Sequence, residues 1–324
     1  MAVFTEVGFD EAARLASRLG LGGLTALRPI AAGIENTNYF LSAERGEYVL
    51  TLFERLGFEQ LPFYLHLMRH LAQRGIPVPK PQADASGVLL HRLHDKPAAV
   101  VDRLRGSHVM APSAEHCQQV AAMLARMHQA AHDYPDRKAN QRGPAWWEAS
   151  VPELLPFLSD AQRALIEAEL AFQRSLGASA SDAALPRGAI HADMFRDNVM
   201  FEAAADGTPR LAGFFDFYFA GFDRLAFDIA VCLNDWCIDQ ETGRLAEDRA
   251  AAFVAAYESV RPLTGDELRL LPALLRAAAL RFWVSRLWDV HLPREASMLM
   301  PHDPAHFERV LRERIATPWH PARG

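Results

Sequence analysis

The sequence predicts an α+β fold of two lobes, a small strand-rich lobe over residues 1–104 and a larger, mainly helical lobe over residues 105–324. Length is the first reason, because 324 residues exceed what one small core usually holds. The second reason is a change of pattern near Leu104–Gly106, where short strand-like segments give way to helical periodicity. Half of the residues are hydrophobic and 23% are charged, as in ordinary globular proteins.

The first lobe is predicted to combine two helices with short strands. Asp10 can cap a first helix, whose apolar residues recur at helical spacing as far as Gly20. Residues 27–54 then have the pattern of three strands, separated by a polar turn and by the turn "ERGE". A second helix is predicted from about Glu59 to Arg74, and residues 88–104 have the pattern of a closing hairpin.

The second lobe is predicted to be built mainly from helices. Ser113 opens an amphipathic helix, and two capping-box patterns, Ser159 with Gln162 and Thr264 with Glu267, mark further helix starts. Additional helices are predicted over about 225–239, 244–260 and 266–291. Surface loops are predicted at 131–147 and 175–188.

Composition and charge exclude several classes of protein. The net charge of −6 gives no basic footprint for nucleic acid, so no nucleic-acid partner is expected. No uncharged apolar run approaches the ~18 residues that span a bilayer, and the N-terminus lacks a signal-peptide pattern, so no membrane partner is expected. Three cysteines without zinc-site spacing, Cys117, Cys232 and Cys237, are typical of buried thiols in a reducing cytoplasm. The sequence leaves the oligomeric state open.

Charged and amide side chains interrupt two short apolar segments in "AIHADMFRDNVMF", residues 189–201. The apolar ends of this stretch are typical of buried strands. A third strand, Leu211–Phe215, follows after a turn and ends at Asp216. This strand–loop–strand–turn–strand unit is expected to bring Asp193, Asn198 and Asp216 within reach of one another.

These side chains have the chemistry of a magnesium-dependent site. A buried carboxylate is costly unless it is paired or bound to a cation, and the oxygens of Asn198 and Asp216 suit Mg²⁺. Asp193 is not needed as a ligand and can accept a proton from an incoming hydroxyl group. His191 is predicted to orient the loop through hydrogen bonds. The alternatives are a solvated loop acid for Asp193 and a turn residue for Asn198.

The stretch His191–Asn198 has the form HxDxxxxN, and Phe215–Phe217 follows as a second segment with a central Asp. This arrangement resembles the catalytic loop and the metal-binding segment of protein-kinase-like phosphotransferases. The small-molecule branch of that superfamily, which includes aminoglycoside and choline kinases, has His-x-Asp as here. The resemblance implies a protein-kinase-like fold with ATP between the lobes and Mg²⁺ on Asn198 and Asp216. It implies that Asp193 is the catalytic base, with His191 beside it.

A more specific resemblance is to the family of homoserine kinases built on this fold. Four segments carry it, "AAGIENTNYFL" (Ala31–Leu41), "YVLTLFE" (Tyr48–Glu54), "LPFYLHLMRHLAQRGIPVP" (Leu61–Pro79) and "LNDWC" (Leu233–Cys237). The resemblance implies ATP-dependent phosphorylation of the side-chain hydroxyl of L-homoserine, a step toward threonine.

The same resemblance implies where the nucleotide binds. The stretch "GIENTN", Gly33–Asn38, can cradle phosphates with its backbone amides, although it can equally be a plain hairpin turn. The segment that connects the lobes is expected to contact the adenine. The predicted nucleotide-binding residues are Gly33, Glu35, Asn36, Thr37, Asn38, Thr51, Val101, Asp102 and Leu104.

One position departs from the general kinase pattern. That pattern has a lysine on the third strand, paired with ATP phosphates and with a helix glutamate, and Thr51 stands there instead. None of the three lysines is in register to replace it. Arg55, which lies on the same face of the predicted strand as Thr51 by the period of two, can supply the charge, or backbone amides and Mg²⁺ suffice. Glu59 is the candidate helix glutamate. Thr51 therefore favours a second hypothesis, a nucleotide-binding pseudokinase.

An amino-acid acceptor needs a cation for its carboxylate and an acid for its ammonium group. The candidates are Asp223, Arg224, Asp235, Trp236, Arg281 and Arg286, and each can instead belong to a salt bridge or a helix contact. Other acceptors remain open, namely choline, an aminoglycoside or methylthioribose. A choline site would need an aromatic cage, and an aminoglycoside site a strongly acidic surface.

Overall fold

The structure is a computed structural model that describes residues 5–30, 36–293 and 302–321. The described chain divides into two compact units. The first unit contains the described residues up to Arg105 and the segment Ala212–Tyr218. The second unit contains Gly106–Leu211 and the described residues from Phe219 onward. The assignment of a nucleotide-binding lobe to residues 1–104 and of a substrate lobe to residues 105–324 stays a prediction.

An antiparallel sheet forms the framework of the first unit. Its strands are β1 (Leu24–Pro29), β2 (Asn36–Ala43), β3 (Gly46–Phe53), β4 (His91–Leu93) and β5 (Lys96–Asp102), hydrogen-bonded in the order β1-β2-β3-β5-β4. Alternate residues along the inner strands, such as Tyr39, Leu50 and Val100, are buried in one core because strand side chains alternate between the two faces. Helix α1 (Phe9–Arg18) buries Leu15 and its apolar neighbours in the same core.

Two details of the predicted helices are wrong. Gly8 precedes α1, and Asp10 lies in the first turn, where its charge still favours the helix N-terminus. The second helix, α2 (Pro62–Gln73), begins later than predicted, because Pro62 suits the first helical turn, where its missing N–H breaks no hydrogen bond. Glu59 therefore precedes α2 and is not a helix residue.

The closing hairpin of the first unit is confirmed. β4 and β5 pair antiparallel, with Leu93 opposite Lys96. The two residues between them, His94 and Asp95, have φ angles of 48° and 60°. Both therefore have the left-handed backbone conformation that a two-residue hairpin turn requires.

The second unit is mainly helical. Its helices are α3 (Ala114–Ala130), α4 (Pro144–Leu154), α5 (Asp160–Gly177), α6 (Ala180–Ala183), α7 (Leu225–Trp236), α8 (Glu247–Glu258), α9 (Gly265–His291) and α10 (Pro304–Ala316). The remaining strands are β6 (Arg187–Ile190), β7 (Val199–Ala203), β8 (Pro209–Phe214) and β9 (Gly221–Arg224). The predicted surface loops contain α6 and the start of α4, neither of which was expected.

Both predicted capping boxes are confirmed at helix starts of the second unit. The backbone N–H of Gln162 donates to Ser159 Oγ at 3.3 Å, and the backbone N–H of Glu267 donates to Thr264 Oγ1 at 3.2 Å. Each glutamine or glutamate side chain accepts a bond from the capping residue in return. These reciprocal bonds satisfy donors that a helix start leaves open, which fixes where α5 and α9 begin.

Helix α9 is the central helix of the second unit. It packs against α7, α10 and α4, and its middle, from Ala277 to Val284, is almost entirely buried. Arg281 lies within this buried stretch, so a cation is held in the interior of the unit. Although α9 has 27 residues, neither it nor any other helix of the described ranges is apolar enough over such a length to cross a membrane.

Gly213 on β8 has no room for a side chain. A Cβ atom there would lie 2.6 Å from the carbonyl oxygen of Pro77 and 2.9 Å from Cδ2 of Leu104. The backbone N–H of Phe214 donates to the same Pro77 oxygen at 3.1 Å, so the strand cannot shift without losing this bond. We expect Gly213→Ala to lower the free energy of unfolding by about 1–3 kcal/mol. Urea denaturation measures this, with Gly177→Ala as the control because its Cβ would meet nothing within 4 Å. Equal stabilities would contradict the prediction.

Candidate active site

The loop that carries His191 joins two different small sheets. β6 pairs antiparallel with β9, with Ile190 opposite Gly221, whereas β7 pairs with β8. The prediction of one strand–loop–strand–turn–strand unit is confirmed in its order by β6, β7 and β8, although β6 lies in a different sheet from β7 and β8. It missed β9, whose four residues end in Asp223 and Arg224 and have no apolar alternation to indicate a strand. The loop spans from the end of one sheet to the start of the other.

The backbone of this loop is held by a buried carboxylate, Asp228 on α7. Its oxygens accept the N–H groups of His191 and Ala192, each at 2.8 Å, and Oδ2 also lies 3.1 Å from Nε2 of His128. Although burial raises the pKa of Asp228, these hydrogen bonds and the His128 ring hold it below its usual value of 3.8. Ala192 has a φ of 64°, a conformation that costs a non-glycine residue about 1–2 kcal/mol. Asp228 thus stabilises a strained loop.

Asp228→Asn is expected to lower the free energy of unfolding by about 2–4 kcal/mol. The amide replaces one of the two acceptor oxygens by an NH₂ group, so one of the buried backbone N–H groups loses its acceptor. Urea denaturation measures this loss. The exposed Asp248→Asn on α8 is the matched control and should be near wild type. A small effect of Asp228→Asn would show that the loop does not depend on this carboxylate.

The stabilisation by Asp228 should depend on pH in one direction. Its folded-state pKa lies below 3.8, the value for an unperturbed carboxyl. The contribution is therefore fully present above pH 3.8 and is lost as the pH falls through the folded-state pKa. We expect the stability difference between wild type and Asp228→Asn to be constant at neutral pH and to shrink below pH 3.8. A difference that persists unchanged in acid would contradict this.

Asn198 lies beside Asp193 within the loop. Its Nδ2 atom donates to the backbone carbonyl of Asp193 at 2.8 Å and lies 3.4 Å from the Asp193 carboxylate oxygen Oδ2. The amide oxygen of Asn198 therefore points away from Asp193. The ring of His191 is fully buried, and its Nδ1 accepts the backbone N–H of Asp193 at 3.2 Å. These contacts support the orienting role that was predicted for His191.

Arg281 of α9 contacts the carboxylate of Asp193. Its Nη1 lies 3.4 Å from Asp193 Oδ1, and the side chains of Arg281 and Asp193 are 2% and 15% exposed. The guanidinium group also packs on the ring of Phe282, 3.6 Å from the ring centroid. Sequence reasoning named Arg281 only as one of several substrate candidates. Its contact with Asp193 joins residues 88 positions apart and has no local signal.

Asp216 belongs to the first unit, whereas Asp193 and Asn198 belong to the second. It has a φ of 66°, which Asp adopts more easily than most residues. The segment is anchored in the first unit by Tyr218, whose ring meets that of Phe53 edge-on at 5.0 Å. Burial and the charge of Asp216 raise the pKa of Tyr218, so this phenol stays neutral. The meeting of the three predicted side chains around one ion stays a prediction.

The donor set is compatible with magnesium. Within the described ranges, no group of three or more His, Cys, Asp or Glu side chains could hold a metal ion by itself. Magnesium does not need such a group, because it is commonly held by one or two protein oxygens together with waters and phosphate oxygens. The Asn198 oxygen, which faces away from Asp193, and the Asp216 carboxylate are hard ligands of the right kind. The predicted pair therefore fits Mg²⁺ chemically.

Thr51 pairs with Asn38 across β2 and β3, and its Oγ1 donates to Asn38 Oδ1 at 2.7 Å. Ala99 is the partner of Thr51 on β5, so Lys96 has the opposite alternation and faces the other side of the sheet. Lys96 forms an ion pair with Glu54 there. β3 ends at Phe53, so Arg55 lies beyond the strand and strand periodicity does not place it on the same face as Thr51. That part of the prediction is wrong.

The structure describes only some of the other residues that were predicted to cradle the phosphates. Gly33 and Glu35 lie outside the described residues. Asn36 is the first residue of β2, and Thr37 follows it. The hydroxyl of Thr37 is buried and donates to Glu54 Oε1 at 2.6 Å, so it is engaged inside the first unit. The nucleotide contacts of these residues stay predictions.

The predicted adenine-contacting residues lie at and beyond the end of β5. Val101 is nearly buried, and the backbone N–H of Asp102 donates to Lys80 O at 3.0 Å. The side chain of Asp102 accepts a bond from Gln82 Nε2 at 2.7 Å, and burial raises the pKa of this carboxyl. Leu104 follows the strand and packs near Gly213. A role of these residues in adenine binding stays a prediction.

Asp223 and Arg224 belong to a buried ionic network. Arg224 donates to Asp182 Oδ1 at 2.7 Å and to Asp223 Oδ1 at 3.1 Å. Arg187 adds a bond to Asp182, and Asn140 donates to Asp223 at 2.9 Å. Mutual pairing therefore satisfies these charges, which favours the salt-bridge alternative over a substrate role.

Asp235 and Trp236 form hydrogen bonds with residues of the loop between β6 and β7. Asp235 Oδ2 accepts the backbone N–H of Arg196 at 2.8 Å and its Nε at 3.2 Å, and Trp236 Nε1 donates to Met194 O at 2.9 Å. Burial raises the pKa of Asp235, and Arg196 opposes this effect. Arg286, the last candidate, donates to Asp303 O at 3.1 Å. The substrate roles of these three residues stay predictions.

Residues 26–263 match the family model described as "Phosphotransferase enzyme family". The homoserine kinase of Polaromonas naphthalenivorans (strain CJ2) is 63% identical over 319 residues, which cover 98% of this chain and 99% of that protein. The homoserine kinase of Burkholderia multivorans (strain ATCC 17616 / 249) is 56% identical over 319 residues, covering 98% of this chain and 96% of that protein.

Solved structures with far lower identity have the same fold. The amicoumacin kinase hAmiN, in complex with AMP-PNP, Ca²⁺ and Ami, matches with a TM-score of 0.70 at 19% identity over 96% of this chain and 95% of that one. Spectinomycin phosphotransferase APH(9)-Ia, in complex with ADP and spectinomycin, matches with a TM-score of 0.69 at 12% identity over 97% of this chain and 99% of that one. The predicted α+β, protein-kinase-like fold is confirmed.

Proposed function

We infer that this chain, which belongs to the phosphotransferase enzyme family, is an ATP-dependent homoserine kinase. It transfers the γ-phosphoryl group of ATP to the side-chain hydroxyl of L-homoserine and forms O-phosphohomoserine, a step in threonine biosynthesis. The observation that carries this conclusion is the 63% identity to a homoserine kinase over 98% of the chain. The HxDxxxxN loop, with Asp193 half-buried and its backbone fixed by neighbouring residues, supplies the chemistry that the activity needs.

Asp193 is the proposed catalytic base. The acceptor hydroxyl donates a hydrogen bond to its carboxylate and gives up the proton as the oxygen attacks the γ-phosphorus. Asp228 accepts the backbone N–H of His191, and the ring of His191 accepts the backbone N–H of Asp193, so the base is positioned before the acceptor arrives. Most of the rate enhancement in such reactions comes from positioning and charge neutralisation.

Asn198 and Asp216 are the proposed ligands of Mg²⁺. When bound, the ion neutralises negative charge on the ATP phosphates. Asn198 is suited to this because its amide nitrogen is occupied by Asp193, which leaves its oxygen as the ligand atom. The predicted nucleotide residues of β2, β3 and β5 would supply the remaining contacts to ATP.

The alternatives of a pseudokinase and of another acceptor are less well supported. The replacement of the strand lysine by Thr51 favoured a pseudokinase, but relatives with 54–63% identity over nearly the whole chain are named kinases. Kinases for aminoglycosides and ethanolamine share the fold, and their identities of 13–16% carry no substrate information.

A coupled ADP-release assay tests the function directly. With ATP and Mg²⁺ in excess, we expect turnover with L-homoserine and little with choline, kanamycin or methylthioribose. Mass spectrometry of the product should find a phosphate added to homoserine. Turnover of another acceptor at a higher kcat/KM than homoserine, or no turnover at all, would contradict the assignment.

We also propose that the enzyme acts in the cytoplasm. All three cysteines lie in the described part of the chain, and they are buried and unpaired by disulfides, as in a reducing compartment. ATP and an amino acid as substrates agree with this location.

A further inference from the structure

Arg281 is an incompletely paired cation in the interior of the second unit. Its side chain is 2% exposed, and the ion pair that it forms within the described residues, with Asp193, is long at 3.4 Å. Its Nε atom is buried and has no hydrogen-bond partner among the described residues. A buried charge is costly unless its donors are satisfied, so a ligand that completes the pairing would be strongly favoured.

The guanidinium group of Arg281 is held in a fixed orientation. Its plane packs on the ring of Phe282 at 3.6 Å, and the ring centroid of Phe219 lies 5.0 Å away. Aromatic contacts of this kind stabilise a cation and restrict its rotation. A fixed, planar fork of N–H donors is the geometry that binds a carboxylate through two bonds.

Positive charge also surrounds Arg281. Arg142 lies over the same Phe219 ring, with its guanidinium carbon 5.7 Å from the centroid. Burial lowers the pKa of Arg281 to about 10, Arg142 and Arg286 act in the same direction, and Asp193 opposes them. Arg142 and Arg286 therefore add positive charge to that of Arg281, which can attract an anionic group.

We propose that Arg281 determines acceptor specificity by binding the α-carboxylate of the amino-acid acceptor while Asp193 binds its hydroxyl; this proposal rests on the homoserine kinase activity inferred above. Three carbon atoms separate the hydroxyl oxygen of L-homoserine from its carboxylate carbon, a span of about 5 Å when extended. Because Arg281 and Asp193 are in contact, one molecule of this length reaches both. The same cation repels acceptors that carry only positive charge, such as choline or an aminoglycoside.

Acceptor analogues test this assignment. L-Homoserine is compared with 3-aminopropan-1-ol, which lacks the carboxylate, and with 4-hydroxybutyrate, which keeps it and lacks the amine. Arg281→Met is expected to lower kcat/KM for L-homoserine and 4-hydroxybutyrate about 100-fold more than for 3-aminopropan-1-ol, because only the first two carry the carboxylate. The wild-type preference for homoserine over 3-aminopropan-1-ol therefore collapses. Arg281→Lys keeps the positive charge but lacks the planar pair of N–H donors, so it should retain part of the preference. This variant also tests the proposal if Arg281→Met folds poorly.

Arg276→Met is the matched control on the same helix. Arg276 packs on Phe172 at 3.6 Å, as Arg281 packs on Phe282, but it pairs with Glu169 instead of Asp193. This variant is expected to lose thermal stability and to keep the wild-type preference between acceptors. A loss of preference in Arg276→Met as large as that in Arg281→Met would overturn the proposal.

Two results separate failure of the proposal from failure of the function. If the wild type phosphorylates L-homoserine and Arg281→Met lowers kcat equally for all three acceptors, Arg281 acts only through Asp193 and the carboxylate proposal is wrong. If the wild type phosphorylates no L-homoserine, the proposed function is wrong and the proposal is overturned with it.

Discussion

Asp193→Asn is expected to lower kcat by about 10²–10⁴-fold, the usual contribution of a general base, while ATP affinity stays near the wild-type value. The amide has nearly the same shape as the carboxylate but cannot take a proton from the acceptor hydroxyl. The backbone carbonyl of Asp193, which accepts the bond from Asn198, is unchanged by this substitution. A coupled ADP-release assay measures kcat, and calorimetric titration with ATP and Mg²⁺ measures nucleotide affinity.

The control for this experiment is Asp197→Asn in the same loop. Asp197 is exposed, so its substitution removes the same charge from the loop without touching the proposed base. We expect kcat of this variant within about 3-fold of the wild type, because exposed charges contribute little. Unchanged turnover in Asp193→Asn, or an equal loss in both variants, would refute the assignment of Asp193 as the base.

Local signals predicted much of the fold. The capping boxes at Ser159 and Thr264 satisfy helix-start donors with residues three positions apart, so a short stretch of sequence is enough to locate them. The closing hairpin predicted over residues 88–104 is equally local, because β4 and β5 are neighbours in the sequence and are joined by the turn at His94 and Asp95. These features need no knowledge of the rest of the chain.

Elements whose existence depends on distant partners were missed. β9 is a strand because β6 lies beside it, and its own residues, which include Asp223 and Arg224, do not alternate. Helix α4 begins at Pro144, in a segment whose proline and glycine favoured a loop, although proline is common in a first helical turn. For β9, pairing with a distant strand overrides the local pattern, whereas for α4 the local signal of a first-turn proline was missed.

The candidate site divides in the same way. The spacing of His191, Asp193 and Asn198 is local and carried the family resemblance from the sequence alone. Asp228 and Arg281 reach the loop from α7 and α9, 36 and 88 positions away along the chain, and no spacing rule connects them to it. An aspartate in the apolar helix "LAFDIAVCL" was the signal that could have identified Asp228, since a buried acid needs donors.

Asp216→Asn is expected to raise the Mg²⁺ concentration for half-maximal velocity at least about 10–100-fold, the range seen when only an outer-sphere partner of a metal is lost. Asparagine is a better choice here than alanine. The φ of 66° at Asp216 is tolerated by Asp and Asn but strains other residues, so alanine would mix a backbone effect with the loss of a ligand. The amide keeps a neutral oxygen and removes the negative charge that attracts the ion. Initial velocities across a Mg²⁺ titration measure the effect.

Asp206→Asn is the control, because Asp206 is exposed in the turn before β8, where its carboxylate accepts hydrogen bonds from Thr208. Its Mg²⁺ dependence should equal that of the wild type. If Asp216 binds the ion, excess Mg²⁺ should recover part of the velocity of Asp216→Asn, since mass action compensates for weaker binding. A velocity that is low at every Mg²⁺ concentration, with an unaltered half-saturation point, would place Asp216 outside the metal site and leave Asn198 as the sole proposed protein ligand.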